Sequence, residues 1–424
     1  MERQRCSRDI AGQVEMSLAT ATTPWLTTDF LAGLLRRAED DPALTVDGVE
    51  VRPASAQGDN YASDLRKVEV DYRDGGGGRR RRSLVVKTPP ELPVMRRFVA
   101  ELRLFQKEVF AYSRLLPALR TLTSCPPVTP AYLPADTPDI VVLEDVSSRG
   151  FKMADRKTGL DLAHCRLALR ALAAFHGLSA ELVRRDPAVI EHLPELVHNT
   201  GRRETQMRFI PNTYDSLADI VETWPGYERF AGEIRRRRDT VVEDLERLVV
   251  PSEDGFNVVN HGDFWVNNML FRYSEDAGRP EEVCLIDFQI LRYGSPALDL
   301  QYFLATSLAR GVREDHEDEL LASYHEALRA STSTLGAARG VCGLDRLRKD
   351  FQDKTLYGFH AACTILCAVV AEPGDAMDLG SLSEESSESD HVDYLTKALR
   401  GERFREAFQR MLLFYGKKGF FKSK

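Results

Sequence analysis

Apolar residues alternate with polar ones early in this chain and later recur at intervals of three and four, and the change divides the sequence in two. From Val51 to Tyr72 a strand-like run, a polar break at Gln57–Gly58–Asp59–Asn60 and alternation through Leu65, Val68 and Val70 predict a hairpin. The tract Arg73–Arg82 (RDGGGGRRRR) reads as a flexible hairpin tip with its four arginines in a solvated turn. Ser83–Lys87 follows as a third short strand closed by Pro89–Pro90. Phe98, Leu102, Phe105, Val109, Tyr112 and Leu116 define one helical face that Pro117 is expected to end. Asp139–Val146 is a further strand, and the polar stretch Ser147–Gly150 after it marks a boundary. Residues 1–45 therefore read as a leader with a helix, 46–146 as a strand-rich lobe and 147–424 as a helical lobe. Helices are expected within Leu160–Leu178, Leu217–Leu248, Asp299–Ala309, Asp315–Leu328 and Arg346–Val370. One interruption, Val258–Ile290, sets two short apolar pieces beside polar loops.

Composition narrows the class. A chain of 424 residues can bury a large core, and its net charge of −8 argues against a nucleic acid or an anionic membrane as partner. Seven cysteines without a Cys-x-x-Cys pair suggest neither a disulfide framework nor a zinc site. The N-terminus has no apolar stretch for a secretory signal, and the most apolar window, Ala361–Ala371, is too short for a membrane span of about twenty residues. The expectation is a cytoplasmic monomer acting on a small molecule, with the acidic serine-rich segment Ser381–Asp390 as a solvated loop.

The interruption carries the chemistry. Phosphoryl transfer to a hydroxyl needs a carboxylate that orients the acceptor, ligands for the metal that neutralises the phosphates, and a lysine that holds the nucleotide. In HGDFWVNNMLF, Asp263 precedes Asn268 by five positions, the interval of a kinase catalytic loop. Asp287 ends an apolar run nineteen positions on (287 − 268), in Asp-Phe-Gln, where a magnesium-binding aspartate is expected. His261 reads as a structural anchor of the loop. Lys87 closes the strand LVVK, and Glu108 on the next helix is its potential ion-pair partner, with Glu101 seven residues earlier on nearly the same face. The turn Gly58–Ser63, with Gly58, Asn60 and Ser63, could lay backbone and hydroxyl donors over ATP phosphates. Leu356, Phe359, His360, Cys363, Leu366 and Cys367 form a helix-core stripe, part of which could line an acceptor pocket.

These residues resemble the ecdysteroid-kinase-like, or CHK-kinase-like, family, relatives of choline kinases and aminoglycoside phosphotransferases. The marks run from Gly58 to Tyr415: GDNYAS (58–63), LVVK (84–87), FQKEVFAY (105–112), VVLEDVSSRGF (141–151), LAAFHGLS (172–179), HGDFWVNNMLF (261–271), LIDFQILRYGSPALDLQYFL (285–304) and YGFHAA (357–362). The resemblance implies an α+β, two-lobed protein-kinase-like fold, an antiparallel sheet plus helix in the N-lobe and a mainly helical C-lobe. It implies Asp263 as catalytic base, Asn268 and Asp287 as Mg2+ ligands, and Lys87 with Glu108 as the pair anchoring ATP. It further implies that Leu143, Glu144, Asp145 and Val146 offer backbone groups to adenine, and that Asp299 braces the catalytic loop. The implied acceptor is a hydroxyl of an ecdysteroid or of a lipophilic xenobiotic or its conjugate, in hormone inactivation or detoxification. A choline- or aminoglycoside-type acceptor would call for an acidic pocket, and a silent ligand-binding pseudokinase would have no need of Lys87, Asp263, Asn268 and Asp287 together.

Overall fold

The computed structural model describes residues 25–54, 63–193, 203–276, 278–333, 335, 340–371 and 398–421. Gly58, Asn60, Cys6 and the segment Ser381–Asp390 lie outside them. The chain forms two compact units, one combining the described residues up to Val99 with Pro130–Arg149, the other Ala100–Thr129 with those from Gly150 onward.

The first unit contains α1 (Thr28–Glu39), β1 (Thr45–Pro53), β2 (Asp64–Arg73), β3 (Arg79–Thr88), β4 (Tyr132–Leu133), β5 (Val141–Glu144) and most of α2 (Pro93–Glu101). Its five strands form an antiparallel sheet in the order β1-β2-β3-β5-β4. Thr27 caps α1 by accepting the Phe30 N–H at 3.1 Å, and Leu31, Leu34 and Leu35 recur on one face. That face packs with Val68, Val70 and Tyr72 of β2, Leu84 and Val86 of β3 and Val142 of β5 in one apolar core. Because strand side chains alternate, Lys67 and Glu69 of β2 and Ser83 and Lys87 of β3 belong to the opposite face.

Arg79–Arg82 are not a solvated turn but the first half of β3, paired in register with Arg73–Val70 of β2. Glycines make the turn without them: Asp74 accepts the N–H groups of Gly76 and Gly78 at 3.1 and 2.8 Å, and Gly77 has φ +79°. Three of the four arginines are matched by carboxylates, Arg80 with Asp74, Arg81 with Glu69 and Glu50, and Arg82 with Glu39.

The second unit is mainly helical. Its helices are α3 (Leu104–Phe110), α4 (Leu116–Thr121), α5 (Leu162–Arg185), α6 (Arg203–Glu222), α7 (Glu228–Arg238), α8 (Val241–Val249), α9 (Ala297–Thr306), α10 (Val312–Ser333), α11 (Leu344–Asp353), α12 (Thr355–Thr364), α13 (Leu366–Val370) and α14 (Glu402–Lys417). Two small sheets hold β6 (Lys152–Met153), β8 (Met269–Tyr273) and β9 (Pro280–Leu285), and β7 (Val258–Asn260) with β10 (Arg292–Gly294). The helix α5 packs on α10, with so little room at Gly177 that a Cβ there would lie 2.5 Å from Ser331 Oγ.

Several expected helices are broken. The face from Phe98 to Leu116 is split by Leu102–Arg103, where Arg103 takes φ +53°. Pro117 does not end it. A π-helical turn, Ala111–Leu115, runs into α4, where Pro117 occupies the first turn and needs no intrahelical partner for its missing N–H. Leu217–Leu248 becomes α6, α7 and α8, divided after Trp224 by a turn in which Gly226 has φ +84°. Arg346–Val370 is divided at Lys354 and Ile365. Among the described residues no helix is long and apolar enough to cross a membrane, and every described cysteine is a free thiol.

Candidate active site

The loop between β7 and β8 and the turn after β9 form the centre of the second unit. Pairing of β8 with β9 sets Met269 opposite Leu285, so Asn268 and Ile286 meet, and the Ile286 N–H donates to Asn268 O at 3.2 Å. This register turns a nineteen-residue separation (287 − 268) into spatial proximity for Asn268 and Asp287. Asp287 itself has a left-handed backbone, φ 66° and ψ 61°, which re-aims the chain from strand to the turn Phe288–Ile290.

Asp263 is half-buried and held at both oxygens. The Tyr302 hydroxyl donates to Oδ1 at 2.7 Å, and Asn268 Nδ2 donates to Oδ2 at 3.0 Å and to the Asp263 carbonyl at 2.8 Å. Burial pushes the Asp263 carboxyl above the ordinary carboxylate value, and the Asp287 charge adds to the effect. The Tyr302 and Asn268 hydrogen bonds oppose both. Asp287 accepts from Gln289 Nε2 at 3.2 Å, and the Tyr112 hydroxyl meets its backbone.

A second layer holds this loop. Asp299, 1% exposed on α9, accepts the N–H of His261 at 2.7 Å on Oδ2 and that of Gly262 at 2.9 Å on Oδ1. His176 Nε2 lies 3.1 Å from the same Oδ2, and its Nδ1 lies 2.7 Å from the Tyr324 hydroxyl. Burial lowers the His176 pKa, more than Asp299 can restore, so the imidazole is the neutral form. His261 Nε2 is 2.9 Å from the Ile286 carbonyl, linking the loop to the residue before Asp287. Gly262 has φ +81°, and a Cβ there would be 1.9 Å from the Ile290 carbonyl oxygen. Only glycine meets both conditions.

Other expected residues lie elsewhere. Lys87 is 4% exposed in the first unit, Glu108 1% exposed on α3 in the second, and Glu101 is exposed at the end of α2. The break at Leu102–Arg103 destroys the common phase that made Glu101 and Glu108 equivalent, leaving Glu108 as the buried one. Ser63 is buried just before β2. Leu143 pairs with Val85 of β3 and Tyr132 of β4. The N–H of Glu144 donates to Ala131 O at 2.8 Å and that of Asp145 to Ser83 O at 3.1 Å, so an adenine would have to meet other backbone groups of this stretch, such as those of Val146. Asp145 is engaged through its side chain, by Lys67 and by Ser83 Oγ at 2.8 Å. Burial alone would raise its carboxyl, but bonds from Lys67, Ser147 and Ser83 bring it down to about 2.

Sequence reading missed Tyr302, His176, Tyr324 and Tyr112. Tyr302 had a signal, standing one turn after Asp299 on the same helix face. Two mutually repelling carboxylates, Asp263 and Asp287, beside the amide oxygen of Asn268 form a hard-oxygen set that suits a magnesium ion. Among the described residues no group of three histidine, cysteine, aspartate or glutamate side chains forms a metal cluster, so such an ion would rest on Asn268 and Asp287 together with substrate oxygens, with the Asp263 charge beside it.

The class these features define is an α+β protein of two compact units, one built on a five-stranded antiparallel sheet and the other mainly helical. The ecdysteroid kinase-like family profile matches residues 57–337, and the chain belongs to that family. The match ends before Tyr357–Ala362, one of the segments in which the resemblance was seen. The 4-hydroxytryptamine kinase of Psilocybe cyanescens is 25% identical over 140 residues, 29% of this chain and 38% of that protein, so the alignment spans well under half of that relative. Among solved structures, Plasmodium vivax ethanolamine kinase is 12% identical with a TM-score of 0.41, covering 85% of this chain and 84% of that one. A microcompartment-associated aminopropanol kinase is 14% identical with a TM-score of 0.42, covering 89% and 97%. Aminoglycoside 2'-phosphotransferase-IIIa in its GDP complex is 13% identical with a TM-score of 0.38, covering 91% and 99%.

Proposed function

We propose that this protein is an ATP-dependent phosphotransferase that phosphorylates a hydroxyl group of a small molecule, an ecdysteroid or a lipophilic xenobiotic or its conjugate. The observation that carries the reading is Asp263, fixed by Tyr302 and Asn268 beside Asp287. A carboxylate held at both oxygens keeps one orientation toward an incoming hydroxyl, and its raised basicity suits it to accept that hydroxyl's proton as the oxygen attacks phosphorus. Asn268, through its amide oxygen, and Asp287 would hold Mg2+, which would neutralise phosphate charge during transfer. Lys87 would bind the nucleotide phosphates, Gly58, Asn60 and Ser63 would supply further donors to them, and Val146 would offer backbone groups to adenine. His261 and Asp299 act by positioning the loop rather than by touching substrate.

Incubating the protein with magnesium and ATP and a panel of steroid and phenolic alcohols, followed by mass spectrometry, tests the reading. A product heavier by one phosphoryl group is expected for at least one alcohol. ATP hydrolysis without any phosphorylated alcohol across steroids, phenols and their glucosides would contradict it.

A further inference from the structure

Lys107 lies on α3 and is 1% exposed, yet its Nζ has no hydrogen-bond partner among the described residues. A buried ammonium without a counter-charge is strongly unfavourable, so the position calls for an anion. The same helix packs on the turn Phe288–Ile290, and two residues beyond that turn stands Arg292, 6% exposed, whose Nη1 donates to the Tyr357 hydroxyl at 3.5 Å. Burial, with repulsion from Arg292 and Arg103, brings the Lys107 pKa down to about 8. Among the described residues no carboxylate pairs with Lys107 or Arg292. Tyr357 belongs to α12, which packs on α9, the helix whose Tyr302 binds Asp263, and the Tyr357 hydroxyl feels the charges of Arg292, Asp299 and Asp263.

We propose that Arg292, Lys107 and Tyr357 form a recognition site for an anionic substituent of the acceptor, a carboxylate, sulfate or phosphate ester on the same molecule as the hydroxyl presented to Asp263. The inference rests on the phosphotransferase reading, which supplies the alcohol. Arg292 offers the planar fork that suits an oxyanion, Tyr357 adds a hydroxyl donor, and Lys107 supplies a second positive charge near enough to repel Arg292. Such a site disfavours a cationic acceptor of the choline or aminoglycoside kind. A nucleotide phosphate has the same chemistry, so the test must separate the two sources.

Calorimetric titration of the full chain with 4-(hydroxymethyl)benzoate and its neutral isostere 4-(hydroxymethyl)benzamide, and separately with MgATP, does so. Wild type is expected to bind the benzoate at least about tenfold more tightly than the benzamide. Lys107→Met and Arg292→Gln should each reduce that preference to within about twofold while leaving MgATP affinity within about twofold. Lys107→Met removes an unpartnered buried charge, so it should fold at least as stably as wild type, and Arg292→Gln provides an independent variant. No preference in wild type, including failure of both probes to bind, would overturn the proposal. So would a parallel tenfold loss of MgATP affinity in the variants, which would assign the charges to the nucleotide. A wild type that prefers the benzoate yet binds no MgATP sustains the anion site and overturns the phosphotransferase reading beneath it.

Discussion

Tyr302 decides how Asp263 behaves. Its hydroxyl stabilises the carboxylate form, so Tyr302→Phe should raise the Asp263 pKa further and move the acid limb of the kcat–pH profile to higher pH. The loss of a bond to a charged group, about 1.5–3 kcal/mol, should lower kcat by roughly 10- to 100-fold below that limb. A pH–rate profile with its acid limb unmoved would remove Tyr302 from this role. Gly262→Ala should fail more completely, since its Cβ would meet the Ile290 carbonyl oxygen at 1.9 Å and either the loop or the turn after Asp287 must shift. Activity should fall at least about 100-fold, as misplacing catalytic groups by an ångström does, and circular dichroism with a retained MgATP titration would separate this from global unfolding. At this scale the sequence was legible where chemistry sits close along the chain, as in Asp263 and Asn268. It was opaque where partners are distant, because nothing local ties His176 to Asp299 across 123 positions or Asp263 to Tyr302 across 39.

The helix α9 is the element on which the site hangs, since Asp299 and Tyr302 on it hold three consecutive loop residues, His261, Gly262 and Asp263. Asp299→Asn keeps the shape but replaces an accepting oxygen by an NH2 group that must face a backbone N–H or His176. Leaving such a buried donor unmatched costs about 1–3 kcal/mol. The expected results are a thermal midpoint several degrees lower and a kcat reduced at least about tenfold, with MgATP affinity little changed. Unaltered kcat would show that the loop holds its shape without this brace. Strand and helix periodicity found most of these elements, but not their joints. The break at Arg103 and the π turn before Pro117 flank α3, which packs against the Phe288 turn, and Tyr112 in the π turn meets Phe288 edge to face with centroids 5.6 Å apart, a long-range contact with no local sequence signal. The arginines after the glycine turn were misread because an exposed strand laced by carboxylates has no apolar alternation to betray it.

Stability of the whole chain should carry the signature of Lys107. In the folded protein it titrates at about 8, and in the unfolded chain near 10.5, so between those values the unfolded chain binds the extra proton. Stability contributed by this residue should therefore rise with pH across that window, by up to about 3 kcal/mol, and level off above it. Urea midpoints at pH 7.5 and 10, compared between wild type and Lys107→Met, check this, and an equal pH dependence in both would show the lysine to be solvated or paired. A buried cation of this kind is invisible to sequence patterning, because Lys107 reads as one more polar residue on an amphipathic helix. The two compact units do not follow the chain order expected from the sequence: one passes to the other at Arg149–Gly150, close to the polar stretch at Ser147–Gly150, but Ala100–Thr129, expected in the strand-rich lobe 46–146, belong to the helical unit. Asp263 is the residue on which the proposed transfer turns. Initial rates of phosphoryl transfer to the best acceptor with MgATP should fall by at least about 100-fold in Asp263→Asn with little change in MgATP affinity, and equal turnover by the two proteins would contradict it.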